Sequence, residues 1–186
     1  MVTNEDLAHS IQRGDRDALA TLIERHYDAL VGYLYRMTAG DRNLAQDLAQ
    51  EAFLRLIRGI GRYQYPRPFK PWLYAIATNL TRDHYKRAAV RWKAVEQDSD
   101  GLGDVEDGGE PPEAQLEAAL EVRQIIAALG RLPEPQREAM VLRYYQEFSL
   151  AEISQTLGIP VGTVKSRLSL GLRRLRDLML ERDGMR

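Results

Sequence analysis

The stretch from Ser149 to Arg176, SLAEISQTLGIPVGTVKSRLSLGLRRLR, leaves the chain few folds to choose from. Ser149 and Glu152 have the S-x-x-E spacing of a capping box, which opens a short helix. Ile153 and Leu157 give that helix an apolar edge, and Gly158 can take the left-handed conformation that ends it. Pro160 biases Ile159 away from helix, so the connection is short. A second helix follows, with Val164, Leu168, Leu172, Leu175 and Met179 recurring along one side. Lys165, Arg167, Arg173, Arg174 and Arg176 occupy much of the rest, with no acid between Lys165 and Arg176. Two helices, a tight glycine turn and a cationic second helix are the pattern of a helix-turn-helix. An amphipathic helix with a solvated basic face would share the arginines, but not the cap and the turn.

Charge distribution qualifies this reading. The 186-residue chain has a net charge of −1, which by itself argues against a general nucleic-acid binder. Residues 1–51 carry a net −4, residues 52–93 a net +9, residues 94–122 a net −10 and residues 123–186 a net +4. Two bodies with basic surfaces are thus separated by an acidic connector. There are no cysteines, which excludes disulfides and thiolate metal sites. No run of apolar residues approaches membrane-spanning length and no charged-then-apolar leader is present, so the expectation is a cytoplasmic protein without membrane insertion.

Residues 4–38 read as helix, with Gly14 as a divider and Asp15 or Asp17 as the cap beyond it. The next helix is expected from about Asn43, as its cap, to Gly59, with Leu44, Leu48, Ala52 and Leu56 buried. Asp47, Gln50, Glu51, Leu54 and Arg58 share another face of it. That acidic face with a leucine at its centre fits either an ordinary wet surface or a dock for a basic partner. Residues 61–71, GRYQYPRPFKP, mix three prolines with rings and cations, a composition suited to loops and to unstacked bases. Pinning the loop to the core is the other use such rings have. From Pro71 to about Arg91 a further helix places Leu73, Ala77, Leu80 and His84 on one side, and Trp72, Ile76, Asn79, Asp83 and Arg87 on another. Half of the chain's aromatic residues lie between Tyr63 and Trp92.

Residues 94–115 hold four glycines, two prolines and many acids, too few apolar groups to offset chain entropy. They read as an extended, flexible acidic linker. The fold class is therefore all-α: two small helical domains, 1–93 and 116–186, joined by the linker 94–115, the second containing the helix-turn-helix. Each domain is expected to keep its own hydrophobic interior. In the second, Leu116, Leu120, Ile125, Ile126 and Leu129 mark a first helix, and Arg137 to Gln146 a second one entered through Pro133 and Pro135.

Catalytic and cofactor motifs are absent from the sequence. His9, His26 and His84 lack ligand spacing, and there is no phosphate-binding glycine loop, no G-x-S-x-G and no cysteine nucleophile. No cofactor and no metal are expected, and the chain reads as a binding protein rather than an enzyme.

Three segments, DLAQEAFLRLIR (47–58), FKPWLYAIATNLTRD (69–83) and LAEISQTLGIPVGTVKSRLSLGLRRLR (150–176), resemble in sequence and order the bacterial RNA polymerase sigma factors of the extracytoplasmic-function (ECF) group of the sigma-70 family. The resemblance implies a non-catalytic specificity subunit that binds core RNA polymerase and directs promoter-specific initiation. It implies that Asp47, Gln50, Glu51 and Leu54 dock on the clamp-helix coiled coil of the largest subunit. It implies that Tyr65, Phe69, Trp72, Asn79, Arg82, Asp83, Lys86 and Arg87 read the melted −10 element. Tyr65, Phe69 and Asn79 would form the pocket for a flipped base, and Arg82, Lys86 and Arg87 would hold phosphates. In the −35 major groove, Lys165, Ser166 and Ser169 match base-reading positions. Ser149, Thr163, Arg167 and Arg173 match phosphate contacts, and Leu170 can meet a thymine methyl but offers no bidentate contact to guanine. The second domain would also touch the flap of the second-largest subunit, and an anti-sigma factor would be a further partner. The resemblance casts the linker as a segment threading toward the active-site cleft. Ser154 stands where the family commonly has alanine, and Leu170-Gly171-Leu172 where it is commonly arginine-rich. A stand-alone helix-turn-helix regulator binding an operator as a dimer is the alternative; it would need neither the 47–58 face nor the aromatic loop. A helical enzyme with an appended DNA-binding domain would instead need a cavity of converging polar groups within residues 1–93.

Overall fold

Thr3 opens helix α1 (Asn4–Gln12) through a capping box with Asp6. Asp15, on the far side of Gly14, caps α2 (Arg16–Met37) by accepting from the amides of Asp17 and Ala18, each at 3.0 Å. These boundaries belong to a computed structural model that describes residues 2–94 and 113–183. Helix α3 (Arg42–Gly59) is capped by Asp41, whose carboxylate accepts from the Leu44 amide. The cap is thus two residues ahead of Asn43, where the sequence suggests it. A single 3-10 turn, Ile60–Arg62, leads into the proline-rich loop.

Helix α4 (Phe69–Ala94) starts two residues earlier than Pro71 suggests. The Glu5 carboxylate accepts from the Phe69 amide at 2.9 Å, a side-chain partner from α1 for one of the helix's free N–H groups. Pro71 then sits in the first turn, where its missing donor costs nothing. The core of this half includes Leu22, Leu30, Leu34, Leu48, Ala52, Leu56, Leu73 and Leu80, all under a tenth exposed.

The second half holds α5 (Glu113–Gly130), α6 (Glu134–Tyr144), α7 (Leu150–Leu157) and α8 (Val161–Asp183). Most of the expected 94–115 linker lies outside the described residues, and its two ends, Ala94 and 113–115, are helical. Pro133 stands at the N-cap of α6, so that helix begins three residues before Arg137. Ser149 and Glu152 form the expected box, and Gly158 ends α7 at φ +65°.

The apolar side of α8 is not the one first drawn. Val164 and Leu168 are buried, but Leu172 and Met179 are each more than 40% exposed. A constant spacing of four residues drifts by about 40° per step around a helix. Leu175 lies inward as expected, and Gly171 and Leu178 take the places expected for Leu172 and Met179. Leu175 and Leu178 pack on the core. Gly171 is in close contact with Met140 of α6, which leaves little room for a side chain. Leu120 of α5 is likewise exposed, whereas Ile126 and Leu129 are buried.

The two halves do not keep separate interiors. Helices α4 and α7 pack together, as do α2 and α6. Tyr74 and Phe148 meet edge-on at 5.1 Å, and the buried side chains of both halves form one continuous cluster. Helical patterning shows that each half has an apolar face, but not that aromatic residues at the edges of the two faces will join them.

Candidate nucleic-acid interface

The turn between α7 and α8 is fixed by short polar contacts. Ser149 Oγ accepts from the Glu152 amide at 3.2 Å, and Glu152 accepts from the Ser149 amide at 2.8 Å. These bonds hold the Glu152 carboxyl below the usual carboxylate range. Ser154 Oγ donates to the Ile159 carbonyl at 2.5 Å, so this serine also ties α7 to the turn that leads into α8. On α8, Thr163, Lys165, Ser166, Ser169, Leu170 and Arg173 are exposed, with Leu170 at 42%. Lys165, Ser166, Ser169, Leu170 and Arg173 form one strip at three- and four-residue spacing, the width an α-helix presents to a major groove. Arg167 leaves this strip: it is partly covered and lies 3.9 Å from the Glu138 carboxylate of α6.

The expected base pocket of Tyr65, Phe69 and Asn79 is not assembled. Phe69 is fully buried among the rings of His26, Tyr63 and Trp72, so it pins the loop and presents no face to a base. Tyr65 is half exposed, but its ring lies 4.8 Å from His9 and its hydroxyl reaches Asp6 on α1. Asn79 is exposed further along α4. What the loop does enclose is a cavity of about 540 Å³, walled by Trp72 and Tyr63 and flanked by Arg62, Gln64 and Arg67, with Gln155 of α7 on its far side. Arg62, Gln64 and Arg67 escaped the residue-level reading, although their alternation with rings in 61–71 is the signal that marks the loop. Burial raises the Tyr63 phenol to about 12, so the ring stays neutral.

A second cleft, of about 970 Å³, runs along α4. Asn79, Arg82, Asp83 and Lys86 line one wall, and Glu134, Glu138, Leu157, Ile159 and Arg167 the other. Arg82 Nε and Nη2 donate to the two oxygens of Glu138 at 2.5 and 2.6 Å. Glu138 is 1% exposed, and this bidentate pair holds the Arg82 guanidinium above its ordinary value. Arg87, exposed, donates to the Asp83 carbonyl.

Around this pair the seam between the halves is polar. Tyr74 Oη donates to Gln146 Oε1 at 2.5 Å, and Gln146 Nε2 reaches the Ala29 carbonyl at 3.3 Å. Lys70 Nζ donates to the Gln146 carbonyl at 2.8 Å and lies over the Phe148 ring. Burial lowers the affinity of Lys70 for its proton. Arg137 donates to the Met37 carbonyl, and the Arg36 guanidinium stacks 4.2 Å from the Tyr145 ring. Nothing in the spacing of Arg137 or Glu138 along α6 distinguishes them from ordinary helix positions, and Gln146 follows the end of that helix, so sequence reading passes over all three.

The α3 face lies outside that seam. Asp47, Gln50, Leu54 and Arg58 are exposed, and Leu54 is 46% accessible in the middle of them. Glu51 is half-buried and accepts from Arg55 at 3.1 Å, and Arg55 reaches Asp83 of α4 at 3.6 Å. An exposed ion-pair chain therefore joins this face to the α4 cleft. Among the described residues, no three histidine, aspartate or glutamate side chains converge on a metal position, and no helix is long and apolar enough to cross a membrane.

Residues 22–91 match the family model described as Sigma-70 region 2, and residues 122–175 the model described as Sigma-70, region 4. The chain is 38% identical over 174 residues to the ECF RNA polymerase sigma factor SigW of Bacillus subtilis, covering 89% of this chain and 91% of that one. Its fold superimposes on RpoE of Bartonella quintana, solved with the anti-sigma factor NepR, with a TM-score of 0.67 at 25% identity over 86% of this chain and 95% of that one. It also superimposes on CnrH, solved with the cytosolic domain of CnrY, with a TM-score of 0.70 at 24% identity over 95% and 96% of the two chains. The second likeness is one of fold.

Proposed function

We propose, for a chain that belongs to the extracytoplasmic-function group of the sigma-70 family, that each of its two regions grips its own promoter segment. As a member of that family the chain is a sigma factor: it binds core RNA polymerase and directs promoter recognition. In our reading Asp47, Gln50, Glu51 and Leu54 dock on the clamp-helix coiled coil, the acidic rim steering a basic partner and Leu54 supplying the dry centre. The strip Lys165, Ser166, Ser169 and Leu170 meets base edges in the −35 major groove, while Ser149, Thr163, Arg167 and Arg173 meet phosphates. The amides at the start of α8 add a dipolar attraction for those phosphates.

For the −10 element, Trp72 is the less buried of the two rings that border the cavity, with Arg62 and Arg67 beside it. We assign base capture there, and strand contacts to Asn79, Arg82, Asp83, Lys86 and Arg87 along α4. Stacking on such a ring contributes about 1–3 kcal/mol, comparable with the few kcal/mol that unstacking a base costs. Tyr65 stays a candidate at the rim of the loop, and Phe69 acts through the loop's rigidity. The flap of the second-largest subunit and an anti-sigma factor complete the expected partners; the similar RpoE of Bartonella quintana, solved with an anti-sigma factor, supports the latter.

The presence of both regions in order, with the α3 face and the α8 strip open to solvent, carries this reading. Promoter fragments selected from random DNA by reconstituted holoenzyme should share two motifs at fixed spacing and give run-off products. Operator binding without polymerase, and no promoter-dependent transcript with it, would favour the stand-alone regulator.

A further inference from the structure

Resting on the −10 reading above, we infer that helix α1 braces the base-capturing loop: Gln12 and Glu5 are positioning residues that fix its entry and its exit, so that Trp72 and the cations beside it meet the displaced strand as a preformed site. Both residues precede position 22, where the match to the Sigma-70 region 2 model begins.

Glu5, His9 and Gln12 are spaced i, i+4 and i+7 and form one stripe along α1. At the entry to the loop, Gln12 Nε2 donates to the carbonyls of Ile60 and Tyr63, both at 2.8 Å. The Ile60 carbonyl also accepts from the Tyr63 amide, so Gln12 locks the turn that closes there. Gln12 Oε1 accepts from His9 Nδ1 at 3.3 Å, which holds the side-chain amide in that orientation. Midway along the loop, the His9 ring lies against Tyr65, whose hydroxyl donates to Asp6. At the exit, Glu5 accepts from the Phe69 amide at 2.9 Å.

Between these anchors the loop has few ties of its own. Among the described residues they are the Arg67 amide on the Gln64 carbonyl and the Tyr63 hydroxyl on the Arg67 carbonyl. Pro66 and Pro68 have no amide hydrogen to add. Tyr63 and Trp72 stand at the two anchored ends, so the reach from Gln12 to Glu5 sets the width of the cavity they wall. Neither Glu5, His9 nor Gln12 lines that cavity; they act on a base only through the loop. A loop already ordered loses less freedom when a base enters. A cavity of fixed width also discriminates between bases where a collapsible one does not.

The test uses holoenzyme reconstituted from core polymerase and each full-length variant, with two probes carrying the motifs selected from random DNA. One is a −35 duplex. The other is a forked duplex with an unpaired −10 strand, 2-aminopurine being placed in turn beside each −10 base to report its loss from the stack. Gln12→Met keeps the side-chain length and removes both donors. Gln12→Met and Glu5→Ala should each weaken forked-probe binding by roughly tenfold, the scale of one or two hydrogen bonds. Both should also reduce the fluorescence rise and flatten the preference for the selected −10 base, with −35 affinity and core association unchanged. Glu5→Gln keeps an acceptor oxygen for the Phe69 amide and should bind the fork within about twofold of the parent. Unchanged affinity and preference in Gln12→Met and Glu5→Ala overturns the brace. Loss of −35 binding or core association in step with the fork makes the role one of fold stability and overturns positioning, and Glu5→Gln as weak as Glu5→Ala overturns the exit anchor. Trp72→Ala in the same assay separates the readings. Preference lost there but kept in both α1 variants sinks this inference alone; preference kept in Trp72→Ala sinks base capture at the cavity, and the brace with it.

Discussion

At the scale of single residues, Lys165 and Arg173 lie on the same strip of α8 but should do different things. Lys165 projects near the helix start, where base edges are within reach, and Arg173 lies two turns further on, where the groove wall is. Lys165→Ala should weaken promoter binding by about 1–3 kcal/mol and change the preferred −35 base. Arg173→Ala should weaken all duplexes alike and reduce the salt slope by about one ion. Titrations on promoter and scrambled duplexes at several salt concentrations check both; equal loss on every sequence for Lys165→Ala would remove it from base reading. His26 gives a prediction of another kind. Burial first, then Arg25 and Lys70 nearby, push its imidazole down to about 4, against about 6.5 when unfolded. The unfolded chain therefore binds the extra proton first. The contribution of His26 to stability is full above pH 6.5 and is lost as pH falls toward 4, by up to about 1.4 kcal/mol per pH unit. Thermal melts from pH 7.5 to 5 should show the unsubstituted chain losing stability relative to His26→Leu; a constant difference would mean the ring is charged or hydrated in the fold.

At the scale of elements, the helix-turn-helix depends on two local devices more than on packing. Gly158 sits at φ +65° with open space where a side chain would go, so Gly158→Ala should cost about 1–2 kcal/mol through backbone strain alone. Ser149→Ala breaks the capping box and should cost about 1 kcal/mol. Urea melts measure both. These are also the elements that sequence reading recovers best, because caps and left-handed glycines are local in the chain. The boundaries it misses were set from elsewhere in the fold. Helix α4 begins at Phe69 with its amide bonded to Glu5, some sixty residues earlier, and no pattern near Pro71 carries that information. The face of α8 is only partly legible in the spacing: expected and observed positions coincide at Val164, Leu168 and Leu175, and differ by one residue where Gly171 and Leu178, not Leu172 and Met179, turn inward. In the loop, rings and cations mark a base-handling segment, yet which ring faces outward depends on tertiary packing: Phe69 went inward and Trp72 kept an open edge.

At the scale of the whole molecule, charge blocks and an acidic connector suggest two bodies, and the closed arrangement adds a contact that chemistry local to either could not announce. Its centre is Gln146, buried, holding the Tyr74 hydroxyl with its side chain and Lys70 with its carbonyl. Because the cores of the two halves meet there, heat should unfold the intact chain in one transition. Gln146→Leu has a similar volume but leaves the Tyr74 hydroxyl buried without its acceptor, at a cost of about 1–3 kcal/mol charged to the seam and not to either core. Apolar side chains are buried on both sides of that seam: Leu22, Leu34, Leu56 and Leu73 in the first half, and Val141, Ile153, Leu157 and Val164 in the second. The variant should therefore show two overlapping calorimetric transitions where the parent shows one, with the helical content unchanged at 20 °C. A single transition merely shifted to lower temperature would mean that the halves fold as one cooperative unit.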